Sequence, residues 1–297
     1  MTRIQANLLL LLAGAIWGMG FVAQATAMDA MGPFLFVGSR FLIAVICVLP
    51  FALRESRRAK LALTRSQWLA FVWIGLMLFL TIAFQQVGLL TTSVTNSGFL
   101  TGLYVVMTPI LGIVLFRQFP HPVVWPAAGL TLAGIFLLSG GKLAGLTIGD
   151  WLTIIAAFFA ALQGLYLARS AAQTGRPVTV AAIQFTTCAV LGLFGALLFE
   201  TVSWEALRLG ALEVFYSGVF SSALSFTLMA IGLRYTTASQ AMIFLSSEAV
   251  FAALFGAIFL HERIPSVGLF GCALMLFAML AVELVPAMQA KKARAIP

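Results

Sequence analysis

Apolar residues run nearly unbroken through ten stretches of this chain: 7–27, 33–53, 67–89, 92–116, 122–139, 148–171, 178–199, 210–233, 237–260 and 265–286. Charges, prolines, glycines or polar clusters separate them. Each stretch is close to the ~20 residues that carry a helix across a bilayer. In hydrocarbon the backbone must satisfy its own hydrogen bonds, so runs of this length and continuity read as helices. The pattern predicts an all-α membrane protein with ten transmembrane helices. The first run, with Arg3 before it and Ala25-Thr26-Ala27 after it, also has the outline of a secretory signal. Its length exceeds a usual signal core and it has an internal counterpart, so it is expected to be retained.

That counterpart belongs to a repeat. A gapless shift of 144 residues places Gly20 on Gly164, Pro33 on Pro177, Phe41 on Phe185, Gly88 on Gly232 and Gly112 on Gly256. It also pairs the polar-interrupted stretch Thr92–Gln118 with Thr236–Glu262. Each unit holds five runs. An odd number makes the halves run in opposite senses, so two inverted five-helix repeats are expected, with a substrate site between them near mid-membrane. The boundaries read as 1–139, a Gly-rich linker over 140–149, and 150–297 with a basic tail.

Composition narrows the class. Hydrophobic residues make up 62% and charged residues 9%, where a soluble domain would hold about a quarter charged. Mean hydropathy is +1.08. The net charge of +8 points to orientation rather than to nucleic acid, because no stretch interleaves Lys/Arg with aromatics as a binding groove would. With the N-terminus inside, cytoplasmic segments hold 13 of the 17 Lys and Arg. Lys142, Arg208 and Arg263 fall outside, and Arg40 lies within the second run. Both termini are therefore expected in the cytoplasm. Cys47, Cys188 and Cys272 sit apart in apolar runs and suggest neither a metal site nor a disulfide framework. His121 and His261 fall on opposite faces, no nucleophile–base pair is evident, and no GxxxxGK[ST] loop is present. The chain reads as no enzyme, without cofactor, and not ATP-driven.

Polar residues inside the runs are the candidates for chemistry. Positions i, i+4, i+7 and i+11 share a helix face, and Ser97, Thr101, Tyr104 and Thr108 form such a stripe beside Asn96. Thr81 pairs with Gln85, Gln163 with Tyr166, Trp17 with Gln24, and Ser217 with Ser221 and Ser225 at similar spacings. Small hydroxyls are common contacts between membrane helices. Gln85, Asn96, Tyr104 and Gln163 are larger than such contacts need, which favours a cavity wall. Arg40 could anchor a carboxylate, whose geometry guanidinium matches, or serve as an internally paired structural charge. Glu248 could hold a substrate ammonium, carry a coupling proton, or pack against a helix end. Trp17 lies deep enough to stack on cargo or to pack, whereas Trp68, Trp125, Trp151 and Glu262 fall near membrane interfaces.

Several motifs resemble those of the EamA-type drug/metabolite transporters: Ala15–Phe21 (AIWGMGF), Arg40-Phe41, Glu248–Phe251 (EAVF) and Leu260–Arg263 (LHER). The resemblance covers essentially the whole chain. Gly98–Leu111 is most similar to bacterial aromatic amino acid exporters of the YddG type. Arg117-Gln118 departs from the Gly-Glu that ends many first halves of that family. The resemblance also marks Arg40 as a general feature shared by proteins with different cargo. It implies a secondary transporter of the bacterial inner membrane, exporting aromatic and other neutral amino acids by alternating access. Its partners would be the small-molecule substrate and the bilayer, and a monomer is compatible with it. The alternative cargo is a hydrophobic cation or drug, exchanged for protons through Glu248.

Overall fold

The computed structural model describes residues 1–59, 61–92, 94–138, 146–259 and 266–294, and all regular elements among them are helical. The first half contains α1 (Arg3–Ala27), α2 (Pro33–Arg58), α3 (Arg65–Gly88), α4 (Val94–Thr101), α5 (Tyr104–Phe116) and α6 (Val124–Leu138). The second contains α7 (Ile148–Thr174), α8 (Pro177–Phe199), the short α9 (Trp204–Leu209), α10 (Ala211–Tyr216), a π-helical segment Ser217–Leu224, α11 (Ser225–Leu233), α12 (Ala238–Leu245), α13 (Glu248–Phe259) and α14 (Ser266–Arg294). Among the described residues, nine helical spans are long and apolar enough to cross a membrane, and α6 is a shorter apolar helix. Residues 140–145 of the linker and Leu260–Arg263, with His261 and Glu262, lie outside the described residues, as does the side chain of Asn96.

Local signals place the helix ends. Thr2, Thr64 and Thr147 cap α1, α3 and α7, each in a reciprocal capping box with Gln5, Gln67 or Asp150. Pro33 and Pro177 open α2 and α8, where a missing N–H costs nothing. Gly175 closes α7 at φ 65°. Arg117 closes α5 at φ 52°, a left-handed conformation that favours glycine. This is the position where the resemblance implies Gly in many first halves. Arg117→Gly is therefore expected to stabilise the protein by about 0.5–1 kcal/mol, relief of the Cβ penalty outweighing the added freedom of the unfolded chain. A thermal unfolding midpoint in detergent that falls would contradict this.

The helices α2 and α8 pack together along their length with backbones in close approach. A Cβ built on Gly192 would lie 2.6 Å from the Gly38 nitrogen, so only glycine permits the contact. The two helices cap each other. The Glu200 carboxylate, just past α8, accepts from the Phe34 and Leu35 amides at 2.7 and 2.8 Å. The Glu55 carboxylate, near the end of α2, accepts from the Val178 and Thr179 amides at 3.3 and 2.7 Å. Each anion thus satisfies orphan donors at the positive end of its neighbour, which makes the pair antiparallel. Glu55→Gln and Glu200→Gln are each expected to cost about 1–2 kcal/mol, read as a lowered midpoint of thermal unfolding. An unchanged midpoint in both variants would show that the caps do not hold the pair together.

Three features differ from the uninterrupted runs read in the sequence. The stretch 92–116 is interrupted at Gly102-Leu103, and 237–260 at Ser246-Ser247, which are 144 residues further on. Both breaks tighten to three-residue hydrogen bonds: Leu103 N to Leu100 O and Val105 N to Gly102 O, then Ser247 N to Phe244 O and Ala249 N to Ser246 O. The third is the π segment. It widens the helical turn beneath the serines, and Ser225 Oγ donates to Phe220 O, five residues back. The single face drawn through Ser217, Ser221 and Ser225 on an ideal α-helix is thereby broken up.

Candidate substrate cavity

The centre of the bundle holds a partly open cavity of about 610 Å³, its solvent-filled mouth included, bounded by α1, α2, α3, α4, α5, α7, the π segment, α11, α12 and α13. Among the sequence candidates, Trp17, Arg40, Thr81, Gln85, Thr101, Tyr104, Gln163, Ser221 and Glu248 line it. Two do not. Tyr166 packs edge-on against Phe116, with ring centroids 5.2 Å apart, and Ser225 turns its hydroxyl back onto its own helix. The rest of the wall is largely apolar: Phe21, Leu78, Ile82, Phe226, Met229, Met242 and Leu245. These were not singled out in the sequence, because one apolar residue looks like another until the helices are assembled. Gln24, noted there only as sharing a face with Trp17, completes the polar side.

The helix breaks position the charged end. Tyr104 and Glu248 are the first residues of α5 and α13, immediately after the two tight turns. They meet across the molecule, Tyr104 Oη donating to Glu248 Oε1 at 3.0 Å. Their separation in sequence is 144, the repeat offset itself. Phe41 and Phe185, also 144 apart, meet in the same way, with centroids at 5.7 Å. Glu248 is 8% exposed.

Arg40 projects from α2 and is only 1% exposed. Its Nε donates to Ser222 Oγ at 2.9 Å, and its guanidinium carbon lies 5.5 and 5.1 Å from the ring centres of Phe36 and Phe41. Its Nη1 has no partner among the described residues. No ion pair joins it to Glu248. A buried guanidinium without a carboxylate is expensive, by several kcal/mol, so the aromatic faces and one hydroxyl compensate it only in part. Two further buried atoms on the same wall lack partners, Ser221 Oγ and Gln24 Oε1. In a folded protein such atoms are few and call for a reason.

The remaining polar groups are internally engaged and act as walls. Gln85 Nε2 donates to Thr101 Oγ1 at 2.9 Å, Thr81 Oγ1 to Met77 O at 2.9 Å, and Gln163 Nε2 to Gln184 Oε1 at 3.1 Å. Trp17 lies 4.7 Å from Phe226 between ring centres while its Nε1 donates to Ser221 O. The cavity therefore offers a free cationic donor, an anionic acceptor and aromatic surface. That combination is chemically complementary to small molecules that carry both polar and apolar groups.

Membrane-length helices around a central, mostly apolar cavity with a few polar groups are the architecture of a multi-pass membrane transporter. The chain belongs to the EamA-like transporter family, whose model matches residues 4–140 and 147–284. It is 31% identical over 282 residues to an uncharacterized transporter of Archaeoglobus fulgidus, covering 95% of this chain and 87% of that one. It is 25% identical over 211 residues to an uncharacterized transporter of Synechocystis sp., covering 68% of this chain and 62% of that one. A solved crystal structure shares the fold with a TM-score of 0.80 at 19% identity, across 96% of this chain and 99% of its own.

Proposed function

We propose that this EamA-family transporter is a secondary exporter of aromatic and other neutral amino acids, working by alternating access in the bacterial inner membrane with both termini cytoplasmic. The observation that carries the reading is the pair of opposite charges, Arg40 and Glu248, on one cavity wall system without a bond between them. A zwitterion supplies what each lacks. Its carboxylate takes the free Nη1 of Arg40 in a charge-assisted bond, and its ammonium takes the Glu248 carboxylate. Trp17, Phe21, Phe226 and the methionines form a deformable apolar wall for the side chain, and such a wall discriminates weakly between shapes. The site residues are those lining the cavity.

The mechanism proposed is rocking of two inverted five-helix halves, 1–139 and 150–297 joined by 140–149, ten membrane helices in all. Three observations support this division: the antiparallel, mutually capped α2 and α8, the breaks at matching positions, and the contacts of Tyr104 with Glu248 and Phe41 with Phe185. Residues that are equivalent by repeat can touch only near an axis that exchanges the halves. A second reading, export of hydrophobic cations through Glu248, is favoured by the aromatic rings beside that carboxylate. The test of amino acid export is efflux of labelled amino acids from proteoliposomes. Efflux faster than from empty liposomes is expected for phenylalanine and tyrosine, and rates equal to leak for every amino acid would reject the proposal.

A further inference from the structure

At one end of the bundle, away from the cavity, the last turn of α2 and the α7–α8 corner enclose a groove with about 1200 Å³ of empty space. Arg54, Arg58, Arg176 and Arg234 line it. The one carboxylate on its wall, Glu55, is already engaged by the Val178 and Thr179 amides and the Thr179 hydroxyl. Arg176 is 6% exposed and donates to the Leu61 carbonyl, with no carboxylate partner. Arg234 gives a long bond of 3.4 Å to Gly175 O and lies over the Tyr235 ring, 5.5 Å from its centre. Arg54 and Arg58 line the groove, with no ion pair to a carboxylate among the described residues. Four guanidinium groups thus face one carboxylate among the described residues, and the lining keeps a net positive charge.

Its rim is apolar. Phe51 and Leu61 line the same groove and are 64% and 81% exposed. Phe51 belongs to a membrane-length helix, so acyl chains run past this rim. A cluster of guanidinium groups beside exposed apolar side chains, at the end of a membrane span, matches an anionic headgroup with its chains alongside. From this arrangement we infer that the groove is a binding site for the phosphate headgroup of an anionic phospholipid. A free phosphate or nucleotide would meet the arginines but would leave the Phe51 and Leu61 rim without a role.

The test is native mass spectrometry of the full chain released from detergent, with phosphatidylglycerol or phosphatidylcholine added at equal concentration. Phosphatidylglycerol adducts are expected to survive on the wild type. In the Arg54→Gln/Arg58→Gln/Arg234→Gln variant they are expected to fall about 100-fold in affinity, with phosphatidylcholine adducts unchanged. The single variants Arg54→Gln and Arg58→Gln change exposed side chains and should each show about a fivefold loss, which guards against misfolding of the triple variant. Equal retention of the two lipids, or undiminished phosphatidylglycerol on the variants, would overturn the assignment. Complete displacement by millimolar inorganic phosphate would also overturn it, by making the lipid dispensable.

Discussion

Arg40→Gln is expected to reduce amino acid efflux about 100-fold or more while leaving the fold intact. Removing one partner of a desolvated charge pair costs about 2–5 kcal/mol, and each 1.4 kcal/mol is tenfold. In the unliganded protein the guanidinium has only Ser222, Phe36 and Phe41 as company, so its loss leaves no other charge unpaired. The isosteric apolar change Arg40→Met is accordingly expected to hold or raise the thermal midpoint while transport is lost, because an unpaired buried charge is a liability to stability. A drop in midpoint with normal efflux would assign Arg40 a structural role. Retained export of a hydrophobic cation by Arg40→Gln, together with no amino acid export by the wild type, would favour the second reading.

Glu248→Gln is the complementary change. Glutamine still accepts the Tyr104 hydroxyl, so the contact between α5 and α13 persists and only the charge is removed. Efflux of any ammonium-bearing substrate is expected to fall about 10–100-fold, the value of a buried hydrogen bond to a charged group. Amino acids and their decarboxylated amines should lose equally at this position, whereas Arg40→Gln should penalise the amino acid alone. Together the two substitutions locate each end of the substrate. If Glu248→Gln left all rates unchanged, the carboxylate would be a packing feature of the half-helix start.

The hydrophobic pattern made the helical architecture legible because spans in lipid need length and apolarity, and both are written locally. The constant offset through Gly, Pro and Phe likewise revealed that the chain is built twice. What the pattern hid was the interruption at Gly102-Leu103 and Ser246-Ser247. A one-turn tightening alters three hydrogen bonds and no hydrophobic period, so nothing in the apolar count registers it. The π segment escaped for the same reason, and with it the true direction of Ser225.

The polar part of the cavity wall was legible where a side chain was larger than a helix contact needs, as with Gln85, Tyr104 and Gln163. Tyr166 shows the limit of that logic, since a tyrosine half in the bundle can satisfy itself by ring packing with Phe116. Which apolar residues complete the wall, such as Met229 and Met242, depends on contacts between α7, α11 and α12 that no spacing encodes. The side chain of Asn96, in the first turns of α4, lies outside the described residues.

In the proposed function one cavity holds both ends of a zwitterion, Arg40 at the carboxylate and Glu248 at the ammonium. Calorimetric titration of the purified protein with phenylalanine, phenethylamine and phenylacetate tests it without any assumption about coupling or direction. Phenylalanine is expected to bind at least about tenfold more tightly than either analogue, since each analogue forfeits one charge-assisted bond. Binding of the amine as tight as that of the amino acid would contradict it.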